Sequence, residues 1–291
     1  MKKFVLVGAA GYIAERHMKA IKETGNDLIA CCDKFDVMGR IDSYFPEAEF
    51  FANFNYFEKF LKQHQQEIDY VSICVPNDLH LFYTRVALSY ELNVICEKPL
   101  ALTTSELTRM KEAENNSKGD VRTILQVRYH PAILEIKKQI GNNGKKHHVH
   151  LEYITTRGKW YYKSWKGDVS KSGGVLMNIG IHFFDMLIWI FGDVVSCKIH
   201  AYGREKATGT IDLERATVHW NISLDYDDLP KEIKLKGQRT YRSITIDGDE
   251  LEFSNGFTNL HTVCYQDILN GNGYGITDIW KSIELVNMLQ K

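Results

Sequence analysis

The residues best suited to chemistry fall in short clusters. An apolar run at 93–97 ends by delivering Glu97, Lys98 and Pro99 in succession, where a strand that only packs would stop at a turn residue. A lysine at such a tip can hydrogen-bond a substrate hydroxyl and take part in proton transfer. Pro76, Asn77 and His80 follow another apolar run, in VPNDLH. Farther along, Asn178, His182 and Asp185 are spaced four and three apart within SGGVLMNIGIHFFDMLIWIFG (172–192). A helix there sets all three on one face. Read alone, Lys98 is equally a surface lysine beside a helix cap, and His182 a satisfied core residue.

A second cluster is VLVGAAGYIAERH, in which Gly8 and Gly11 sit between a strand and a helix. Glycine lets the backbone approach a pyrophosphate, and the helix N-terminus then offers unpaired N–H groups to it. The register Ala9-x-Gly11-x-x-Ala14 fits, with alanine where close helix–sheet packing is needed. Asp33 stands 22 residues after Gly11 at the end of the next strand, where an acid holds the ribose hydroxyls of NAD and repels the extra phosphate of NADP. The third cluster, TTRGKWYYKSWKGDVSKSGG (155–174), interleaves Arg157, Lys159, Lys163, Lys166 and Lys171 with Trp160, Tyr161, Tyr162 and Trp165. It reads as a solvated basic loop over an aromatic patch, or as a site for a polyanion carrying a planar base. In KKHHVH (145–150), successive histidines on a strand point to opposite faces, so only His148 and His150 could share an ion; no metal is expected.

These clusters need rigid elements. The 291 residues are 44% hydrophobic and 25% charged, enough for two soluble domains. A net charge of −1 without a long basic block excludes an electrostatic case for nucleic acid. The longest apolar run, MLIWIF (186–191), is short of the ~20 residues of a spanning helix, and the start of the chain reads as a strand without a secretory cleavage pattern. No membrane association is expected. The cysteines at 31, 32, 74, 96, 197 and 264 lack metal-type spacing and read as reduced core thiols of a cytoplasmic protein.

Apolar runs at 4–8, 28–33, 70–76, 93–97 and 123–127 alternate with amphipathic segments at 12–24, 53–65, 79–90 and 103–116. Thr103 and Thr104 are cap candidates for the last of these, with Glu106 inside its first turn. The alternation predicts an α/β domain over 1–125, a Rossmann-type doubly wound parallel sheet. All four strand tips, Gly8/Gly11, Asp33, Pro76–Asn77 and Glu97–Lys98, then share one edge, beyond which ligands lie. Residues 126–291 predict an α+β domain with a largely antiparallel sheet. Its strands lie in 145–162 and 194–254, with one apolar helix at 174–191 and closing helices at 261–269 and 277–290.

In this order, strand–GxxG, acid, PNxxH and EKP resemble the Gfo/Idh/MocA (glucose–fructose oxidoreductase, inositol dehydrogenase) family over essentially the whole chain. The resemblance implies an NAD-binding domain followed by a substrate and oligomerisation domain. It also implies that Lys98 and His182 are the catalytic pair. Cofactor contacts would come from Gly8, Gly11, Tyr12, Ile13, Asp33, Pro76, Asn77, His80, Glu97, Lys98 and Gln126. Family members commonly have Asp where this chain has Asn178, a neutral amide that can bond a hydroxyl but cannot stabilise an imidazolium as a carboxylate does. QVRYHP (126–131), the basic aromatic loop and NIGIHFFD resemble one branch, the UDP-N-acetylglucosaminuronate 3-dehydrogenases. Substrate contacts would then come from Arg157, Tyr161, Lys163, Trp165, Lys171, Asn178 and His182. The implied substrate is a UDP-sugar, the setting cell-surface polysaccharide synthesis, and the assembly a homo-oligomer, dimer or tetramer. The alternatives are the same fold acting on a free sugar, inositol or another nucleotide sugar, and a non-catalytic NAD-binding regulator.

Overall fold

The computed structural model describes residues 1–141 and 144–291. The chain divides into two compact units. The first joins 1–126 with 258–279; the second joins 127–257 with 280–291.

In the first unit the chain runs β1 (Lys3–Val7), α1 (Ala14–Glu23), β2 (Asp27–Cys32), α2 (Met38–Tyr44), β3 (Glu49–Phe51), α3 (Phe54–His64), β4 (Tyr70–Ile73), α4 (His80–Ser89), β5 (Asn93–Cys96), α5 (Thr104–Asn115) and β6 (Val121–Thr123). The sheet order among the described residues is β3-β2-β1-β4-β5-β6, with every neighbour parallel. The central strands are apolar over most of their length because helices cover both faces. Phe4, Val5, Leu6, Val94, Ile95 and Cys96 have no exposed surface. The cap expected for α5 is present as a reciprocal box. Thr103 Oγ1 accepts the Glu106 N–H at 3.2 Å, and the Glu106 carboxylate accepts the Thr103 N–H at 3.3 Å.

The second unit contains α6 (Pro131–Ile140), β7 (His147–Thr155), α7 (Lys159–Lys163), α8 (Val169–Ser172), α9 (Ile181–Phe191), β8 (Val194–Tyr202), β9 (Lys206–Leu213), β10 (Ala216–Ser223), α10 (Lys231–Leu235), β11 (Thr240–Ile246) and β12 (Asp249–Glu252). Its sheet has the order β12-β11-β7-β10-β9-β8. Neighbours are antiparallel except for the parallel pair β7–β10. Burial alternates along β9 and β10, as a sheet with one covered face requires. Trp220 on the covered face meets Phe184 of α9 edge-on, with ring centroids 5.2 Å apart. The stretch Val169–Phe191 is long and apolar enough to cross a bilayer by length and composition. However, 78% of its most apolar window is buried inside the protein, as in a core helix.

The remaining segments, α11 (Leu260–Leu269) and α12 (Ile276–Leu289), close the chain. Here the structure corrects the linear division at 125/126, because 258–279 belongs with the first unit. The cause is packing and pairing: α11 lies on α1, and the Thr123 N–H of β6 donates to the Tyr274 carbonyl at 2.8 Å. Two local expectations also shift. The strand expected at 123–127 ends at Thr123 and becomes a tight helical turn at Gln126–Tyr129, and the one at 145–162 ends at Thr155 before α7. The short α2 and β3 fall in a stretch that shows no periodicity in the sequence.

Candidate active site

The carboxyl edge of the first sheet gathers the expected strand tips. Gly8 has φ +89°, and a Cβ there would stand 2.6 Å from the Cys74 carbonyl carbon, so no other residue fits without displacing backbone. The turn it makes leads into α1, ten residues long, through Gly11 and the exposed Tyr12. Asp33 is half-buried beside this turn. Its Oδ2 accepts the Ala10 N–H at 2.9 Å and its Oδ1 the Phe35 N–H at 3.0 Å, which fixes the carboxylate yet leaves lone pairs for a ribose. Arg40 braces the same turn, donating to the Gly11 carbonyl at 3.1 Å.

Pro76 and Asn77 follow β4 as expected, but His80 does not face a cofactor. Its ring has no exposed surface, and its nitrogens stand 2.7 Å from the Pro99 carbonyl and 3.0 Å from the Val75 carbonyl. It ties two strand tips together. Burial first, against the partial opposition of these carbonyls, holds its pKa below the usual value.

Glu97 is also held by protein groups. It is buried, with Oε1 accepting from His17 Nε2 and His261 Nε2, both at 2.9 Å, and Oε2 accepting the Lys98 N–H at 3.2 Å. Burial alone would raise its pKa, but the two imidazole bonds outweigh it and hold the carboxyl well below the usual range. Behind it, His17 Nδ1 meets the Tyr265 hydroxyl at 2.7 Å, which meets Ser72 Oγ at 2.7 Å. Lys98 itself is half-exposed at the tip, and so is Gln126 after β6. Sequence reasoning missed His17, His261 and Tyr265. The available signal was Glu97 itself, since an acid ending a buried strand requires donors.

In the second unit, residues 174–187 are buried with one exception. His182 in the first turn of α9 reaches solvent. It follows a π-helical turn at Leu176–Gly180, an irregularity frequent at functional positions. Asn178 lies in that turn and is 6% exposed, and its Nδ2 donates to the Tyr161 hydroxyl at 3.0 Å. Tyr161 is itself buried, and burial raises its pKa against the counter-effect of Asn178. Both were expected to touch substrate; as they stand, they brace the helix that carries His182. Arg157 is half-exposed and donates to Thr155 Oγ1 at 2.9 Å. Lys163 is exposed, Trp165 half-exposed, and exposed Lys171 lies 3.8 Å from Asp168. Lys166 stands over Trp160 and Trp165, at 5.5 and 5.8 Å from the ring centroids. The loop thus keeps cations and ring faces accessible. Asp185, the third member of the spacing, is buried in a forked ion pair with Arg128 at 2.7 and 2.8 Å.

The first unit fits a dinucleotide. Asp33 offers acceptor lone pairs beside the Gly8–Gly11 turn, and the buried Gln126 Oε1 has no protein donor. Among the described residues, His17, Glu97 and His261 are the group whose ligand atoms lie within 4.8 Å of one another. His148 and His150 form no such group.

Comparison with known proteins agrees with this geometry. Residues 2–124 match the family model described as "Oxidoreductase family, NAD-binding Rossmann fold" (GFO_IDH_MocA), and residues 137–227 match its "C-terminal alpha/beta domain". The WlbA (WbpB) dehydrogenase from Thermus thermophilus, solved with NAD and alpha-ketoglutarate, is 45% identical with a TM-score of 0.97. The match covers 100% of this chain and 95% of that one. Its structure with NAD and UDP-GlcNAcA gives 44% identity and a TM-score of 0.96 over the same shares. The putative oxidoreductase YteT of Bacillus subtilis is 32% identical over 60% of this chain. The chain spans only 39% and 37% of the lengths of the first curated relatives it matches.

Proposed function

Because this chain belongs to the Gfo/Idh/MocA family of NAD-binding oxidoreductases, we propose that it oxidises the 3-hydroxyl of UDP-N-acetylglucosaminuronate (UDP-GlcNAcA) to the 3-keto sugar. The observation that carries the reading is the full-length likeness to a dehydrogenase solved with NAD and UDP-GlcNAcA. NAD, when bound, supplies the hydride acceptor. The Gly8–Gly11 turn and the start of α1 would hold its pyrophosphate, Asp33 its ribose, and Gln126 would accept from one of its donors. Lys98 and His182 would take the hydroxyl proton and pass it on, as the solvent-reaching titratable groups of the EKP tip and of α9.

The substrate carries a diphosphate, a carboxylate and a uracil ring. Arg157, Lys163 and Lys171 offer cations for the anionic groups, and Trp165 a ring face for the base. A 3-keto uronate is ready for amination, which suits cell-surface polysaccharide (O-antigen) synthesis. Reduced cysteines suit a cytoplasmic enzyme, and we expect a homo-oligomer.

The test compares UDP-GlcNAcA with UDP-GlcNAc, which lacks the carboxylate. Losing one charge-assisted bond in a desolvated site costs about 2–3 kcal/mol, about 30- to 150-fold in kcat/KM. Arg157→Ala or Lys163→Ala should erase much of that preference and spare NADH binding. Equal rates on the two sugars would sink the uronate assignment. Activity on free inositol or glucose, with none on either nucleotide, would favour the same fold working on another substrate.

A further inference from the structure

The cluster behind Lys98 has a defined proton arrangement. His261 Nδ1 is buried and has no protein partner, so a proton there would be an unpaired buried donor. Its proton therefore sits on Nε2 and is donated to Glu97. In that tautomer the ring acts as a hydrogen-bond donor to the carboxylate. His17 likewise donates Nε2–H to the Glu97 carboxylate, and its Nδ1 is joined to the Tyr265 hydroxyl at 2.7 Å. Burial keeps the Tyr265 phenol protonated and able to donate. Two imidazole Nε2–H groups thus hold one ionised carboxylate. The second oxygen of that carboxylate accepts the peptide N–H of Lys98.

We propose that His17, His261 and Tyr265 are positioning residues for Lys98, which through Glu97 fix the backbone from which the lysine reaches the substrate hydroxyl. The helix α11 supplies two of the three, so the segment after residue 257 completes the catalytic edge of the nucleotide unit. The inference rests on reading Lys98 as a proton-transfer group.

The chemistry sets the variants. Glu97→Gln cannot serve as acceptor on both sides, because its single amide oxygen faces either the imidazoles or the Lys98 N–H. Tyr265→Phe keeps the ring that packs near Phe4, 5.8 Å between centroids, and deletes only the hydroxyl. His261→Gln can place an amide N–H where Nε2–H was; His261→Leu cannot.

The first readout is nitrogen-15 NMR on the cofactor-free protein. At pH 7 His261 should be neutral with its proton on Nε2. The Lys98 amide signal should move in Tyr265→Phe and in His261→Leu. A charged His261, a proton on its Nδ1, or an unmoved Lys98 amide would overturn the proposal. The second readout is turnover at saturating UDP-GlcNAcA. His261→Leu and Tyr265→Phe should lower kcat about 10-fold with KM for the sugar within about twofold, and His261→Gln should recover most of the loss. A folded His261→Leu protein with unchanged kcat would also overturn it. If the wild type oxidises no sugar nucleotide, the functional reading fails while the NMR outcome still decides this one. If His261→Leu does not fold, Tyr265→Phe carries both measurements.

Discussion

Asp185→Asn should be among the most damaging conservative substitutions in the second unit. Asp185 accepts from Arg128 Nε at 2.8 Å and Nη2 at 2.7 Å, and from the Ser282 hydroxyl at 3.1 Å. The two charged side chains are 2% and 5% exposed. An asparagine would turn an N–H₂ toward a guanidinium that can only donate, and would remove the anion of the forked pair. Lys137 stands nearby and is already held below its usual pKa, by burial first and then by Arg128 and Arg215. Removing the anion therefore strands a cation in a site already short of negative charge. Breaking a buried pair in this way costs about 3–5 kcal/mol. For a unit of this size each kcal/mol moves the melting temperature by roughly 2–4 °C, so the drop should be about 10 °C.

Circular dichroism melts check that figure, and the double variant Arg128→Met with Asp185→Leu checks its cause. If the cost is the stranded charge, removing both charges should restore most of the stability. A loss under about 1 kcal/mol in Asp185→Asn, or a double variant as unstable as the single one, would refute the reasoning. His182 lies three residues earlier on the same helix. Turnover measured well below the melting temperature should therefore fall as well, but less than in His182→Ala.

Lys98→Ala and His182→Ala should each lower turnover by about 100-fold, and the double variant should cost little more than either; fully multiplicative losses would deny that they act together. NADH should bind at least about 10-fold more tightly than NADPH, since Asp33 would lose a charge-assisted bond and meet a phosphate instead. Asp33→Ala should narrow the gap, and fluorescence titration reads it; tighter NADPH binding by the wild type would remove the assignment. Stability should fall with pH below the usual histidine value of 6.5, because folded His80 and His261 resist protonation that the unfolded chain accepts. The folded pKa is the lower one, so the unfolded state binds more protons in that window and stability rises with pH through it. Glu97, held below its usual 4.5, adds a further loss only at more acid pH. Urea midpoints at pH 7.5 and 5.5 test this, and equal values would count against it.

The sequence exposed the strand tips because a parallel doubly wound sheet leaves one choice of edge. Once β1, β2, β4 and β5 are read as parallel, Gly8, Asp33, Asn77 and Lys98 must share it. His182 was legible only through the family resemblance, since a histidine on so apolar a helix reads alone as a satisfied core residue. What stayed hidden was the support. His261 is 164 residues from Glu97, and nothing local to either announces the other. The return of 258–279 to the first unit is tertiary information without a periodic trace. His80, Glu97, Tyr161 and Asn178 share one pattern: their polar types suit ligand contact, and each is also buried and bonded to backbone or to another side chain. Residue type alone does not separate the two uses, because a group that recognises a ligand hydroxyl equally recognises a peptide N–H or a phenol. Asp33, Lys98, Gln126, Arg157 and His182 keep surface open, and behind Lys98 and His182 a fully buried polar group fixes the backbone or helix that presents them. Substitution of the open residues should therefore show in rates and affinities, and substitution of their buried partners in rates and stability together.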